Sequence, residues 1–227
     1  VNPALGKSLP YDPMKDFTPI CSIANQTVVL MVHPSVPARS VPEFIQLAKA
    51  RPGQLAFASP GVGTASHMTG VLFQAMTKIN LLFVPYKGAG PSLIDLIAGQ
   101  VTVGASRLTS SVQYIDSGRL RALGVTTATR SKLKPQIPTI AESGVPGFEV
   151  TNWFGILAPA GTPAAVIDRI QEQLSRILQN PTNEELIFKL GLEPAPMASG
   201  EFEAFMRGEI DKWLRVGEDK AELKKLD

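Results

Sequence analysis

The sequence predicts an α/β fold, because short apolar runs alternate with helix-like segments from residue 28 to about residue 126. The apolar runs are bounded by proline or glycine, as buried strands usually are. The segments between them repeat apolar residues at helical spacing. Repeated strand–helix units of this kind imply a sheet with parallel strands and with helices on both faces.

The first half of the chain contains these units in order. Residues 28–33 form a continuous apolar run, which predicts a strand buried on both faces. Ser40, Pro42 and Glu43 form a capping box with proline in the first turn, so a helix is expected from there to residues 52–53. Further strands are predicted over residues 55–58, 81–84, 101–104 and 121–126. Helices are predicted after residues 64 and 90, and a short polar segment separates the last two strands.

The last third of the chain has a different pattern. Residues 127–150 are rich in proline, serine, threonine and glycine, and they predict a long ordered loop. Residues 153–157 predict a strand, and Thr162 is the expected N-cap of the helix that follows. A final amphipathic helix carries the apolar residues between Phe202 and Leu214. One or two strands are too few to form a sheet of their own.

Composition excludes several classes of protein. The 227 residues carry 22 basic and 20 acidic side chains, a net charge of +2, and the basic ones are scattered, so nucleic acid is not an expected partner. Cys21 is the single cysteine, which excludes an internal disulfide, and His33 lies far from His67 in sequence. A zinc site is therefore not expected. No apolar run is long enough to span a bilayer, and no signal-peptide pattern is recognisable.

The most informative stretch is the glycine-rich loop within residues 58–67, ASPGVGTASH, which follows a predicted strand and begins a predicted helix. The first N–H groups of a helix have no partner within it, and the helix dipole favours negative charge there, so the loop predicts an anion site. Gly61 and Gly63 would let a carboxylate approach the backbone, while Thr64 and Ser66 offer hydroxyl donors.

Other interpretations of this loop remain open. A dinucleotide site would need an acidic residue about 20 positions further on, and residues 83–87 contain none. A plain tight turn would also explain both glycines. Catalysis by Ser66 and His67 is disfavoured, because neighbouring residues on a helix point about 100° apart. His67 is instead expected to bond to the loop or to a neighbouring strand.

Two further strand ends are candidates for the same site. Residues 84–92 form a second strand–loop–helix junction that contains Tyr86 and Lys87, whose alternative roles are a stacking aromatic ring and a solvated charge. Ser106 and Arg107 follow another predicted strand, where Arg107 is alternatively an exposed surface charge. Ligands of open α/β sheets bind at the carboxyl ends of strands, so these loops are expected to converge on one pocket.

Several motifs, taken in order and spacing, resemble the Bug family, the TctC-type extracytoplasmic solute receptors of tripartite tricarboxylate transporters. The resemblance extends over essentially the whole chain. The motifs are residues 9–17 (LPYDPMKDF), 58–67 (ASPGVGTASH), 84–88 (VPYKG), 99–101 (GQV), 118–123 (GRLRAL), 138–147 (PTIAESGVPG) and 153–163 (WFGILAPAGTP).

The resemblance implies a type II periplasmic-binding-protein fold: two α/β lobes with parallel or mixed sheets, helices on both faces, and a cleft between the lobes. Residues 1–28 and 152–227 would belong to lobe 1, and residues 29–151 to lobe 2. The C-terminal strand would then join a sheet begun elsewhere. The family pattern starts with a strand and a jaw loop that this sequence lacks, which implies an N-terminally truncated lobe 1 with exposed apolar faces.

The resemblance also implies a function. The protein would be a periplasmic receptor without catalytic activity that closes over a small carboxylate and presents it to membrane-embedded transporter subunits. The expected ligands are di- or tricarboxylates, acidic amino acids or aromatic acids. A complete receptor would be monomeric, and a truncated one would dimerise through lobe 1. Two alternatives are a ligand-sensing module for a signalling partner and an α/β-hydrolase-type enzyme that uses His67 or Lys87.

The resemblance implies a receptor that has no catalytic residue and needs no metal and no other cofactor. The loop glycines and hydroxyls fall on the carboxylate-binding loop of the family, in agreement with the anion argument. The residues expected to contact the ligand are Ser59, Gly61, Gly63, Thr64, Ala65, Ser66, His67, Tyr86, Lys87 and Ser106.

Overall fold

The computed structural model describes residues 9–218. Within this range the chain forms two compact units: a terminal unit of residues 9–26 and 152–218, and an inserted unit of residues 27–151. The lobe boundaries expected from the sequence lie at residues 28/29 and 151/152. Residues 1–8 and 219–227 of the expected lobe 1 lie outside the described residues.

The elements are numbered in chain order. The strands are β1 (Phe17–Gln26), β2 (Val28–Val32), β3 (Ala56–Ser59), β4 (Leu82–Pro85), β5 (Val103–Arg107), β6 (Arg121–Val125), β7 (Asn152–Pro159) and β8 (Glu193–Met197). The helices are α1 (Val41–Ala50), α2 (Ala65–Thr77), α3 (Ala89–Ile97), α4 (Leu108–Asp116), α5 (Ala164–Leu178), α6 (Pro181–Lys189) and α7 (Ser199–Glu218). No helix within residues 9–218 is both long and apolar enough to cross a membrane.

The inserted unit is built on a five-stranded mixed sheet in the order β4-β3-β5-β2-β6. Strand β3 pairs in parallel with β4 and with β5, whereas β2 pairs antiparallel with β5 and with β6. The predicted α/β class is therefore confirmed, with parallel pairing confined to three strands. Residues 127–150 contain no helix or strand, as expected, and Thr139 makes an isolated bridge to Val125.

Helix α2 lies close against this sheet because Gly70 has no side chain. A Cβ atom at Gly70 would come within 3.0 Å of the rings of Phe57 on β3 and Phe83 on β4. This close approach fixes the helix over the two strands, and its first turn therefore has a defined position beside the end of β3.

Local capping follows the sequence at one helix and departs from it at another. Ser40 Oγ accepts the Glu43 N–H at 3.3 Å, so α1 is capped as predicted. The predicted N-cap of α5 is wrong: that position belongs to Pro163, and the Thr162 hydroxyl donates to the Pro159 carbonyl at 2.7 Å. The Thr162 hydroxyl therefore closes the turn before α5 and does not cap the helix.

Helix α4 occupies the segment that the sequence predicts only as a short polar connection. Its Leu108 and Ser111 are buried, while Thr109 and Ser110 are exposed. The Leu108 N–H donates to the Thr27 carbonyl at 2.9 Å. The polar residues are the solvent-facing side of a short amphipathic helix, and the buried side is too short to show a clear period.

The terminal unit contains a three-stranded antiparallel sheet in the order β7-β1-β8. The strand predicted at residues 153–157 is thus the central part of β7, and it joins a sheet begun by β1, as the resemblance implies. Helix α5 packs its Ile167 against Ile20, Cys21 and Ala158 of this sheet. Helix α7 also contacts β1 and β8.

Thr126 ties the two ends of the inserted unit together. Its N–H donates to the Val28 carbonyl at 2.9 Å, and its hydroxyl donates to the Val150 carbonyl at 2.6 Å. The Val150 N–H returns a bond to the Thr126 carbonyl at 2.9 Å. Because Val28 pairs with Arg107 at the end of β5, the chain enters and leaves this unit at the edge where the parallel strands end.

Candidate functional site

The candidate site lies at the edge of the five-stranded sheet where β3, β4 and β5 end. Each of these strands leads into a helix that begins at the same edge. The first residues of helices α2, α3 and α4 are Ala65, Ala89 and Leu108. Because a helix N-terminus carries partial positive charge, three of them together favour an anion at this edge without the need for a metal.

The glycine-rich loop after β3 is a tight turn that only glycine adopts easily at two positions. Gly61 has a φ angle of 140° and Gly63 one of 84°. The Gly61 carbonyl accepts the Thr64 N–H at 3.3 Å and the Thr64 hydroxyl at 2.8 Å. The backbone is therefore folded back on itself, with no side chain at either glycine to keep a ligand away.

The Thr64 hydroxyl both donates and accepts a hydrogen bond in this turn. Besides donating to Gly61, Thr64 Oγ1 accepts the His67 N–H at 3.2 Å and so forms the N-cap of α2. The expectation that Thr64 donates to a ligand stays a prediction. It would require the hydroxyl proton to leave the Gly61 carbonyl.

The first turn of α2 presents free backbone donors. Within the described chain, the N–H groups of Ala65 and Ser66 have no hydrogen-bond acceptor, because the cap from Thr64 goes to His67. These two donors lie directly after the loop glycines, where a carboxylate oxygen would approach the backbone.

Three serines at this edge share an unusual state. Ser59, Ser66 and Ser106 are each more than nine-tenths buried, with exposed fractions of 4%, 8% and 6%. Their hydroxyls have no hydrogen-bond partner among the described residues. Each hydroxyl oxygen nevertheless keeps some contact with solvent. Buried hydroxyls are normally satisfied. An open, unsatisfied hydroxyl on each of β3, α2 and β5 indicates a polar ligand or bound water at this edge.

His67 hydrogen-bonds to the glycine loop and is almost inaccessible, with 1% of its surface exposed. Its Nδ1 accepts the Gly63 N–H at 3.4 Å, so the proton of the neutral ring lies on Nε2, which has no partner within the described residues. Burial lowers the pKa of His67 to about 4. The ring is therefore neutral at ordinary pH and makes the predicted bond to the loop rather than to Ser66.

The second junction lies beside the first. The Tyr86 N–H donates to the Ser59 carbonyl at 2.8 Å, which places the end of β4 next to the glycine loop. The Tyr86 hydroxyl instead donates to the Asp95 carboxylate on α3 at 2.8 Å, and burial together with this bond raises the pKa of Tyr86 to about 12. Lys87 is exposed. Tyr86 thus stabilises the junction, and Lys87 is a surface charge at its rim.

Sequence reasoning singled out Arg107 but not Thr109 and Ser110, which follow it. Arg107 ends β5 and is exposed, and Thr109 with Ser110 forms the first turn of α4. The signal that could have found these two hydroxyls is their position directly after a strand end, the same pattern as in Thr64 and Ser66. No group of three or more potential metal ligands occurs in the described part of the chain.

Comparison with known families matches nearly the whole of this chain to one family model. The model of the tripartite tricarboxylate transporter family receptor, TctC, matches residues 1–221. Protein BugT of Bordetella pertussis is 33% identical over 213 residues, which are 94% of this chain and 65% of BugT. A UPF0065 protein from the tcbD-tcbE intergenic region of a Pseudomonas species is 36% identical over 209 residues, 92% of this chain and 62% of that protein. The chain thus spans somewhat less than two thirds of these relatives.

Solved structures show the same similarity. The Rhodopseudomonas palustris protein Rpa4515, solved with adipate, has a TM-score of 0.78 and 34% identity over 93% of this chain and 71% of its own. MatC from the same organism, with bound malate, has a TM-score of 0.76 and 29% identity over 95% of this chain and 74% of its own. The periplasmic binding protein BugD has a TM-score of 0.73 and 31% identity over 91% of this chain and 70% of its own.

Proposed function

Because this chain belongs to the TctC family of tripartite tricarboxylate transporter receptors, we propose that it binds a small carboxylate in the periplasm and delivers it to membrane-embedded subunits of such a transporter. The observation that carries the proposal is the glycine loop, where free N–H groups and unsatisfied hydroxyls meet at helix N-termini. The two ligands named for the similar structures, adipate and malate, are both small carboxylates.

The chemistry of binding is hydrogen bonding to a negative group. The N–H groups of Ala65 and Ser66 donate to one carboxylate oxygen, and the hydroxyls of Ser59 and Ser66 donate to the other. Hydrogen bonds to a charged acceptor are about twice as strong as neutral ones. We expect Gly63 to permit the approach, because it has no side chain and its φ of 84° is one that other residues rarely adopt.

The alternative of an α/β-hydrolase-type enzyme is not supported. The family is one of receptors and not of enzymes. The His67 ring is buried and bonds to Gly63, so it does not serve Ser66 as a base. No described feature favours the ligand-sensing alternative over transport.

The proposal is tested by a thermal-shift screen of the 227-residue chain with adipate, malate, glutamate and an aromatic acid, followed by calorimetric titration of any acid that raises the melting temperature. A ligand that binds only the folded state raises that temperature by mass action. We expect Gly63→Val to weaken binding about tenfold or more, the loss of at least one charge-assisted hydrogen bond.

The matched control is Gly118→Val, because Gly118 also has a positive φ, 70°, and has open space around it in a turn away from the loop. It introduces similar backbone strain without touching the loop. Unchanged affinity in Gly63→Val would refute the loop as the site, and no response to any acid would refute the carboxylate function.

A further inference from the structure

The inserted unit contains a cavity that the proposed function does not use. Its volume is about 400 Å³, a size that holds a small organic molecule. The two polar side chains of its lining are Arg121 and Gln136. The rest of the wall is mainly apolar and consists of Pro34, Ile115, Leu120, Ala122, Ile137 and Pro138.

The cavity lies at the opposite edge of the sheet from the glycine loop. Strand β2 runs antiparallel to both β5 and β6, and its last residue, Val32, pairs with their first residues, Val103 and Arg121. The cavity is therefore beside the amino end of β6, whereas the glycine loop follows the carboxyl end of β3. Strand β6 is also separated from β3 by β5 and β2. A ligand in this cavity would not touch the glycine loop.

Arg121 is fixed by its own hydrogen bonds and keeps donors free. Its Nη1 donates to the Val36 carbonyl at 2.9 Å and to the Ala38 carbonyl at 3.0 Å. Pro34 of the cavity wall lies in the turn that the Val36 N–H closes onto the His33 carbonyl at 2.9 Å, so the guanidinium lies near this side of the cavity. Its Nε and Nη2 have no acceptor within residues 9–218. A half-buried guanidinium of fixed orientation with free donors suits a carboxylate.

An ion pair joins two walls of the cavity. Lys134 Nζ donates to both carboxylate oxygens of Asp116, at 2.7 and 2.8 Å. Asp116 follows Ile115 at the end of α4, and the Lys134 carbonyl accepts the Ile137 N–H at 3.0 Å. The pair therefore holds Ile115 and Ile137 on either side of the cavity. It also neutralises the charge of Asp116, which would otherwise repel an anion.

We propose that this cavity is a second binding site, which takes a small monocarboxylic acid with an apolar body. The carboxylate accepts hydrogen bonds from Nε and Nη2 of Arg121, and the apolar body packs against Ile115, Leu120 and Ile137. A second carboxylate on the ligand would lie against apolar walls, where an unpaired charge is costly. The site goes beyond the proposed function and does not depend on it.

The experiment is an NMR titration of the isotope-labelled 227-residue chain with benzoate. We expect benzoate to shift the backbone amide signals of Gly118, Arg121 and Ala122, with a dissociation constant of about 1 mM, which is ordinary for a ligand of this size. Benzyl alcohol has the same ring and no carboxylate. It should bind at least about tenfold more weakly, because it cannot make the charge-assisted hydrogen bonds.

Two variants test the cavity itself. Arg121→Gln should weaken benzoate at these signals about tenfold. Arg119→Gln is the matched control and should have no effect, because Arg119 is outside the lining and its guanidinium lies over the Tyr114 ring, 5.4 Å from the centroid. Ala122→Leu keeps the bonds of Arg121 and reduces the cavity, so it should also weaken benzoate. It decides the question if Arg121→Gln fails to fold.

Gly63→Val separates this site from the glycine loop, since it should leave the benzoate shifts of Arg121 and Ala122 unchanged. Shifts confined to the glycine loop, or no shifts at all, overturn the cavity site. Benzoate affinity that is unchanged in Ala122→Leu, or in folded Arg121→Gln, overturns it as well. If benzoate binds in the cavity while neither adipate nor malate shifts the glycine loop, the cavity site stands and the proposed function fails.

Discussion

At the scale of single residues, hydrogen bonds made by His67 and Thr64 shape the glycine loop. His67 supports Gly63 through Nδ1 and is sealed from water, and Thr64 uses its hydroxyl to close the turn and to cap α2. These bonds fix the loop, and the N–H groups of Ala65 and Ser66 remain without an acceptor among the described residues. A preformed site of this kind loses little conformational entropy on binding.

His67 gives stability a dependence on pH. Its pKa is about 4 in the folded protein and about 6.5 when exposed, so between these values the unfolded chain binds a proton that the folded chain does not. The free energy of unfolding therefore falls as pH falls through this window, by about 3 kcal/mol at most, and is regained above pH 6.5.

Urea denaturation at about pH 7.5 and about pH 4.5 measures this effect. His67→Gln should show a smaller loss of stability between the two values, because glutamine keeps an acceptor for the Gly63 N–H and does not titrate. His33→Gln is the control, since His33 is only partly buried and bonds to Ser35 at 2.8 Å. Equal pH dependence of stability in His67→Gln and in the unmodified protein would contradict the assignment of this effect to His67.

At the scale of elements, the terminal unit depends on a close fit between β7 and α7. Phe202 is fully buried, and a Cβ at Gly155 would overlap its ring and come within 3.0 Å of the Cys21 carbonyl oxygen. Trp153 packs edge-on against Phe202, with ring centroids 5.5 Å apart. The absence of a side chain at Gly155 therefore lets the helix lie on the sheet.

Gly155→Ala is expected to lower the free energy of unfolding by about 2 to 3 kcal/mol, the usual cost of overpacking a core. Gly208→Ala serves as the comparison, because Gly208 lies within α7 and an added methyl group there would meet no other atom within 4 Å. Alanine there should raise stability by about 0.5 to 1 kcal/mol. Chemical denaturation of both variants checks this, and equal effects at the two glycines would contradict the packing account.

The alternating units of the inserted unit were predictable because their strands are mostly apolar and because glycine or proline follows helices α1 and α3, at residues 52–53 and 99. Helix α4 was not, because only Leu108 and Ser111 face the sheet and its exposed side begins with Thr109 and Ser110. Strand β1 was missed for a related reason. Its ten residues include Pro19 and two register shifts, which remove the simple alternation of a strand.

The glycine loop was predictable from spacing alone, since two glycines between a strand and a helix constrain the backbone strongly. The hydrogen bonds that its hydroxyl groups make were not predictable. Thr64 and Ser66 are equally suited as donors in sequence, but the turn takes the Thr64 proton and leaves the Ser66 hydroxyl open. Which hydroxyl is available depends on the bond from Thr64 to the Gly61 carbonyl, and the residue types alone do not say which hydroxyl makes it.

At the scale of the whole molecule, apolar surface is unevenly distributed. Helix α5 buries Ile167 and Leu178 and exposes a neighbouring stripe of Val166, Ile170 and Ile177. Helix α6 buries none of its residues, and Leu186 is 52% exposed. Contiguous apolar surface of this kind is a site of association between proteins.

We therefore expect the 227-residue chain to self-associate in a concentration-dependent way, and the double variant Ile170→Glu with Ile177→Glu to shift it toward monomer. Ile94→Glu is the control, because Ile94 is 66% exposed on α3 of the inserted unit, outside the stripe. Sedimentation velocity over a range of concentrations measures the association of the unmodified chain, the double variant and the control. A chain that stays monomeric throughout would show that the stripe is not an association surface.

The hydrogen bonds that Thr126 makes to Val28 and Val150 have a consequence for how this molecule can be divided. Since Val28 and Val150 are held by the same threonine, residues 27–151 begin and end side by side, the arrangement that lets a domain be inserted into, or cut out of, another chain. A fragment of residues 27–151 would keep the five-stranded sheet intact. It would also carry the glycine loop, so the proposed binding of a carboxylate could be tested apart from the terminal unit.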